Sequence, residues 1–139
     1  MPQQHIQAKL ANLRQHLLSL LQSTNELDAG GLLTLNTVID RLGIHEDIDL
    51  QAHKENPLSD LLPQIQHASK SLLEPCQNMV NSIIDLAGAL PWYQRSVANN
   101  PEFMAGHVNA QIIGPDGLEV RHDLIVGVTL MRPNIDYPD

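Results

Sequence analysis

Apolar positions keep two different rhythms along this chain. Up to about residue 90 they recur at helical spacing, and after about residue 106 they alternate as in strands. Ile6, Leu10, Leu13, Leu17 and Leu20 follow one another at intervals of four, three, four and three, with Leu18 and Leu21 widening the stripe. That spacing predicts one apolar face of a helix over 3–23. The helix is expected to end before Asp28-Ala29-Gly30-Gly31, because two glycines remove helix propensity. A second helix carries Leu35, Val38, Ile39 and Leu42, and Gly43 after it suits a left-handed C-terminal cap. Residues 45–55 are polar and acidic and read as a loop or a short helix. Pro57 opens a third helical segment with Leu58, Leu61, Leu62, Ile65 and Leu72. Proline is tolerated in a first turn but breaks a helix interior, so Pro75 predicts a fourth helix from Glu74 to about Gly88.

The second half changes texture. Leu90-Pro91-Trp92-Tyr93 sets the only Trp beside a Tyr, and Asn99-Asn100-Pro101 marks a turn. Val108, Ala110 and Ile112 alternate with Asn109 and Gln111, as in a half-buried strand. Gly114-Pro115-Asp116-Gly117 reads as a hairpin turn, with 118–121 as the return strand. A third strand over 124–131 is apolar on both faces, which predicts that both are covered. Helices followed by strands give an α+β fold: about four helices over 1–90, then an open antiparallel sheet over 91–139. Three strands close no barrel, and the last is too hydrophobic for an exposed edge. The sheet is therefore expected to continue beyond this chain or to pair with another chain.

Composition narrows the chemistry. With 42% hydrophobic but only 3% aromatic residues, the core must be mostly Leu, Ile, Val and Ala. A formal charge of −8, with no basic cluster, argues against a nucleic-acid partner, which needs a basic face. The N-terminal MPQQHIQAKL lacks the charged and apolar regions of a signal peptide, and no apolar run approaches the ~20 residues that span a bilayer. A cytoplasmic protein with no membrane partner is expected. The single Cys76 falls in an apolar helical pattern and reads as a buried thiol.

No complete catalytic constellation is visible. His5, His16, His45, His53, His67, His107 and His122 form no ligand pattern on one element and read as solvated or strand-end residues, so no metal ligand is assigned. The run Glu46, Asp47 and Asp49 reads as a solvated face. No phosphate loop and no nucleophile elbow is present. Two features stand out in a chain so poor in aromatics. Trp92 and Tyr93, followed by Arg95, are either a plug between the layers or an aromatic wall over a pocket that suits a cationic ligand. Tyr137, between Asp136 and Pro138, is either packing or a pocket residue able to assist a proton transfer.

Residues 106–139, GHVNAQIIGPDGLEVRHDLIVGVTLMRPNIDYPD, resemble the entry into the cupin barrel of the bacterial dimethylsulfoniopropionate lyase family. The shared features are the GP-x-G turn, the apolar strand containing Gly127, and Pro133 leading to Tyr137-Pro138; Leu90-Pro91-Trp92 and the helical first half match the family's architecture. The resemblance implies β-elimination of dimethylsulfoniopropionate to dimethyl sulfide and acrylate, with zinc or iron as the metal. It implies that the histidine-rich metal motif follows directly on the YP pair, so this chain reads as the N-terminal part of such a lyase, binding no catalytic metal and inactive alone. Tyr137 is the family residue that falls on this chain, with Trp92 and Tyr93 as candidates for the sulfonium end of a small carboxylate substrate. A homodimer is expected, with the stripe of the first helix as one surface for it. The alternatives are a non-catalytic helical binding module, or another small-molecule cupin acting as isomerase, dioxygenase or regulatory sensor.

Overall fold

The computed structural model describes residues 3–24, 26–50 and 53–138. Among these, five α-helices precede a three-stranded sheet: α1 (Gln3–Gln22), α2 (Ala29–Leu42), α3 (Leu61–Ser69), α4 (Glu74–Leu86), α5 (Pro101–Gly106), β1 (His107–Gly114), β2 (Glu119–Val120) and β3 (Val126–Met131). The architecture is α+β, with the sheet open and mixed rather than antiparallel throughout.

The first half of the α1 stripe is buried inside the molecule. Ile6, Leu10 and Leu13 are buried and join Leu42, Leu58, Leu61, Leu86 and Leu90 in one core with Val108, Ala110, Ile112 and Leu130 of the sheet. The main packing partner of α1 is α4. Burial of each such side chain contributes about 1.5–3 kcal/mol, whereas Leu17, Leu18, Leu20 and Leu21, further along the same stripe, are half-buried. Large exposed apolar side chains sit elsewhere, at Leu32 and Leu33 of α2 and at Leu72 and Leu73 before α4.

Several boundaries differ from the periodicity for local reasons. Gly30 and Gly31 do not break a helix; they form the first turn of α2, where the Asp28 carboxylate accepts from Gly31 N at 2.7 Å. An N-cap bond of that kind outweighs the low propensity of glycine in a first turn. Gly43 is right-handed, with φ −71° and ψ −13°. A left-handed cap would satisfy the last carbonyls of α2. Here guanidinium groups supplement the Gly43 N–H: Arg14 Nη1 donates to Leu42 O and Arg121 Nη2 to Arg41 O, each at 2.9 Å, and Arg121 Nη1 reaches Ile44 O just beyond the helix at 2.8 Å. Pro75 stands in the first turn of α4, as its chemistry requires. Cys76 is exposed there rather than buried, because it lies in the same turn, before the apolar face of α4 meets the core. The helix α5 was hidden behind its own start signal: Asn100 caps it by accepting from Phe103 N at 3.1 Å, and Pro101 opens it.

The 114–117 segment turns, with Gly117 N donating to Gly114 O at 3.1 Å, but no antiparallel hairpin follows. Gly114 has φ +155°, a conformation that L side chains rarely adopt, and a Cβ there would collide with Gln111 Oε1. This kink redirects the chain, so β2 meets β1 in parallel and takes Ile48 as its antiparallel neighbour. Asp49 N donates to Leu118 O at 2.7 Å and Val120 N to Asp47 O at 3.1 Å, which ties the 45–50 loop to the sheet; residues 51 and 52 lie outside the described set. The antiparallel partner of β1 is β3, on its other edge.

Only one face of β3 is covered. Leu130 is buried and Val126 and Val128 pack on the core, whereas Gly127 and Thr129 are exposed. The expectation that both faces are buried is therefore corrected. Gly127 and Thr129 present little apolar surface, so this face of the sheet tolerates water. It is also where the functional candidates gather.

Candidate active site

The open face of the sheet holds a pocket of about 290 Å³ lined by Tyr93, Arg95, Asn109, Gly127, Thr129 and Tyr137, with Ala110 and Val128 contributing backbone at its floor. The chain has two tyrosines, and both line this one pocket. Tyr93 arrives by strand-like pairing: its N–H donates to Asn109 O at 2.8 Å, and Asn109 N donates back to Tyr93 O at 2.7 Å. Its side chain is half-exposed. On the floor, Thr129 Oγ1 donates to Asn109 Oδ1 at 2.7 Å, locking the two strands in register across the pocket.

Tyr137 comes from the opposite direction. After β3, Arg132 N donates to Gly106 O at 2.8 Å, and Asn134 takes a positive φ of 63° that bends the chain back over α5. Ile135 then lies on Gly106, where even a Cβ would approach its Cγ1 to 2.6 Å. Glycine is therefore required at 106 for the tail to close on α5. Tyr137 meets Phe103 edge to face, with ring centroids 5.2 Å apart, and Phe103 stacks in turn on His107 at 3.7 Å.

His107 is fully buried, which corrects its reading as a solvated or strand-end residue. Its Nε2 accepts from Arg95 N at 2.9 Å, so the proton sits on Nδ1, which donates to Phe103 O at 2.6 Å. One imidazole thus pins the backbone of Arg95 to α5, and its stack on Phe103 supports Tyr137. The Arg95 guanidinium lies 5.5 Å from the centre of the Tyr137 ring, close enough for cation–π attraction.

Trp92 is placed apart from these residues. It is 2% exposed, and its indole N–H donates to Ala87 O at 2.8 Å. It plugs the junction between α4 and the sheet, while its neighbour Tyr93 faces the pocket. The other histidines, His5, His16, His45, His53, His67 and His122, are exposed or half-exposed and scattered. Among the described residues, no group of three or more His, Cys, Asp or Glu side chains could hold a metal ion. The zinc or iron that the resemblance implies therefore finds no fitting donor set in them.

A second and larger concavity, about 470 Å³, shares Tyr93 with the first and is lined also by Asp49, Lys54, Pro91, Gln111, Asp116 and Val120.

The sequence pattern of the dimethylsulfoniopropionate lyase family matches residues 35–139, a span that includes every residue lining both pockets. The chain belongs to that family. No curated protein and no solved structure matches it. No helix among the described residues is long and apolar enough to cross a membrane.

At the other end of β1 lies a charge cluster that the sequence did not disclose. Glu119 is 1% exposed and forms ion pairs with Arg14 and with Arg121, the latter at 3.2 Å. Arg121 also reaches Asp123 at 2.7 Å, and this bond holds the Asp123 carboxyl below its ordinary value. The signal was present: Arg14 stands four residues after Leu10 on the apolar stripe of α1, and Glu119 and Arg121 share one strand face. Charge normally reads as surface, and that convention concealed them.

Proposed function

We propose that the open-face pocket is the substrate site of a cytoplasmic lyase that splits dimethylsulfoniopropionate by β-elimination. The family match supports this reading, and the observation that carries it is the meeting of both tyrosines with Arg95 in one pocket. In the reaction a proton leaves the carbon next to the carboxylate and its electron pair forms the new C=C bond. The C–S bond breaks, and its pair departs with sulfur. The products are acrylate, neutral dimethyl sulfide and one proton.

The residues divide this work by chemistry. Tyr93 offers an aromatic face to the sulfonium, an attraction of roughly 0.5–2 kcal/mol. Tyr137, from the opposite wall, orients the substrate or assists the proton transfer through its hydroxyl. Trp92 is buried with its N–H bonded to Ala87 O, so the sulfonium role falls to Tyr93. The divalent zinc or iron belongs to this proposal through the family alone.

The test is headspace analysis of the intact protein with dimethylsulfoniopropionate, with and without added zinc or ferrous iron. Dimethyl sulfide and acrylate are expected in equal amounts. No volatile sulfide under either condition overturns the reading.

A further inference from the structure

We infer that Arg95 is the anion-binding residue of the open-face pocket and selects ligands that carry a carboxylate at one end and a cationic group at the other. The inference rests on that pocket being a ligand site, and it adds which part of the ligand is recognised and by what.

The argument begins with the five arginines of a chain whose formal charge is −8. Arg14 pairs with Glu119, Arg121 with Glu119 and Asp123, and Arg132 with Asp60. Arg41 donates to Asp123 O at 2.7 Å and lies close enough to the Asp123 carboxylate to help lower its pKa. Arg95 differs from all four. Among the described residues its guanidinium has no carboxylate partner, only a contact with Pro138 O at 3.5 Å and the face of Tyr137. A hydrogen bond of 3.5 Å is at the weak limit. With acids twice as numerous as bases, a guanidinium that meets none of the described ones is a placement the fold maintains.

The pocket around it has the matching character. Among the described residues no Asp or Glu lines it, and the one formal charge they bring is that of Arg95. The side chain is exposed, but its base is rigid. Arg95 N is bonded to the buried His107, and Gln94 Nε2 donates to Met104 O and His107 O at 2.6 and 3.0 Å. A planar fork on a fixed backbone suits a carboxylate, which accepts two parallel N–H bonds. The second concavity shares Tyr93 and is lined by Asp116 among others. A ligand with its carboxylate at Arg95 would set a cationic end against the Tyr93 ring, with the Asp116 carboxylate in the adjoining concavity.

The test uses propionate and its neutral counterpart propionamide as probes, with amide chemical shifts of Gly127, Val128 and Thr129 as the readout. Propionate is expected to shift them saturably, and propionamide to leave them in place. Arg95→Gln should weaken propionate by about tenfold or more, and Arg95→Lys should recover part of the loss, since the charge returns without the fork. Equal binding of propionate and propionamide by the unaltered protein overturns the inference, as does unchanged propionate binding in Arg95→Gln. The first comparison needs no variant, so a folding defect does not obscure it. Neither readout requires turnover: dimethyl sulfide release with Arg95-independent propionate binding removes this inference and keeps the lyase, and the converse result removes the lyase and keeps Arg95.

Discussion

The two ends of β1 hold guanidinium groups in opposite circumstances. At the β2 end, Arg14 and Arg121 are buried on Glu119, cap the last carbonyls of α2 and join three parts of the chain. At the other end, Arg95 is held through its backbone N–H, and its charged tip faces a pocket lined by no acid among the described residues. In the first region the buried charges are answered by neighbours, and the result is rigidity. In the second, one guanidinium has no carboxylate partner among the described residues, which is what the proposed ligand site rests on. The helices and the ion-paired end form the frame; the open sheet face is what the frame presents.

The sharpest way to break this contrast is to remove the acid at the centre of the frame. Glu119→Ala leaves two buried guanidinium groups without their carboxylate and should cost about 3–5 kcal/mol in denaturant unfolding. A loss below about 1 kcal/mol would show that the cluster is solvated, and would erase the distinction between the two ends.

A smaller but more selective effect is expected at the pocket. Tyr137→Phe removes one half-exposed hydroxyl that makes no hydrogen bond in the fold as described. Stability should stay within about 0.5 kcal/mol, while dimethyl sulfide release falls about a hundredfold. Trp92→Phe should do the reverse, destabilising by about 1–3 kcal/mol through the orphaned Ala87 carbonyl while leaving the substrate dependence of the surviving activity in place. If both variants lose activity and stability together, the division between plug and pocket fails.

The smallest effect concerns the strap between the two regions. Arg132 forms a two-pronged bond with Asp60, at 2.9 and 3.0 Å, where the helical layer meets the segment that carries Tyr137. The bond holds the Asp60 carboxyl below its ordinary value of 3.8, as the Arg121 bond does for Asp123. A depressed carboxylate stabilises the fold above its unfolded value and loses that contribution as pH falls through the lower folded value. Stability should therefore decline on acidification below about pH 4, and Arg132→Gln should flatten the Asp60 part of that decline. Identical acid profiles for the variant and the parent would dismiss the strap.

Much of the frame was legible because it follows from local rules. The α1 stripe, the start of α4 at Glu74-Pro75 and the alternation of β1 each express a periodicity or a proline constraint that neighbours in sequence enforce. Tyr93 and Tyr137 were legible as candidates because aromatics are scarce in this chain. Their meeting was not, since 44 residues separate them and only the pairing of Tyr93 with Asn109 and the bend at Asn134 close that gap. The hairpin after Gly114 was misread for a related reason. A turn motif states that the chain reverses, but a positive φ at Gly114 and the burial of Glu119 decide which way it leaves.

The sequence by itself determined the order of helices and strands, the family and the short roll of residues worth watching, because periodicity, capping and composition act over a few residues. Tertiary structure alone decided that His107 is buried, that Trp92 packs while Tyr93 faces out, and that, among the described residues, four arginines are engaged by Asp or Glu residues while Arg95 is not. Those are properties of which distant groups come within hydrogen-bonding range. Burial and pairing change the character of a charged or aromatic side chain without changing a letter of the sequence.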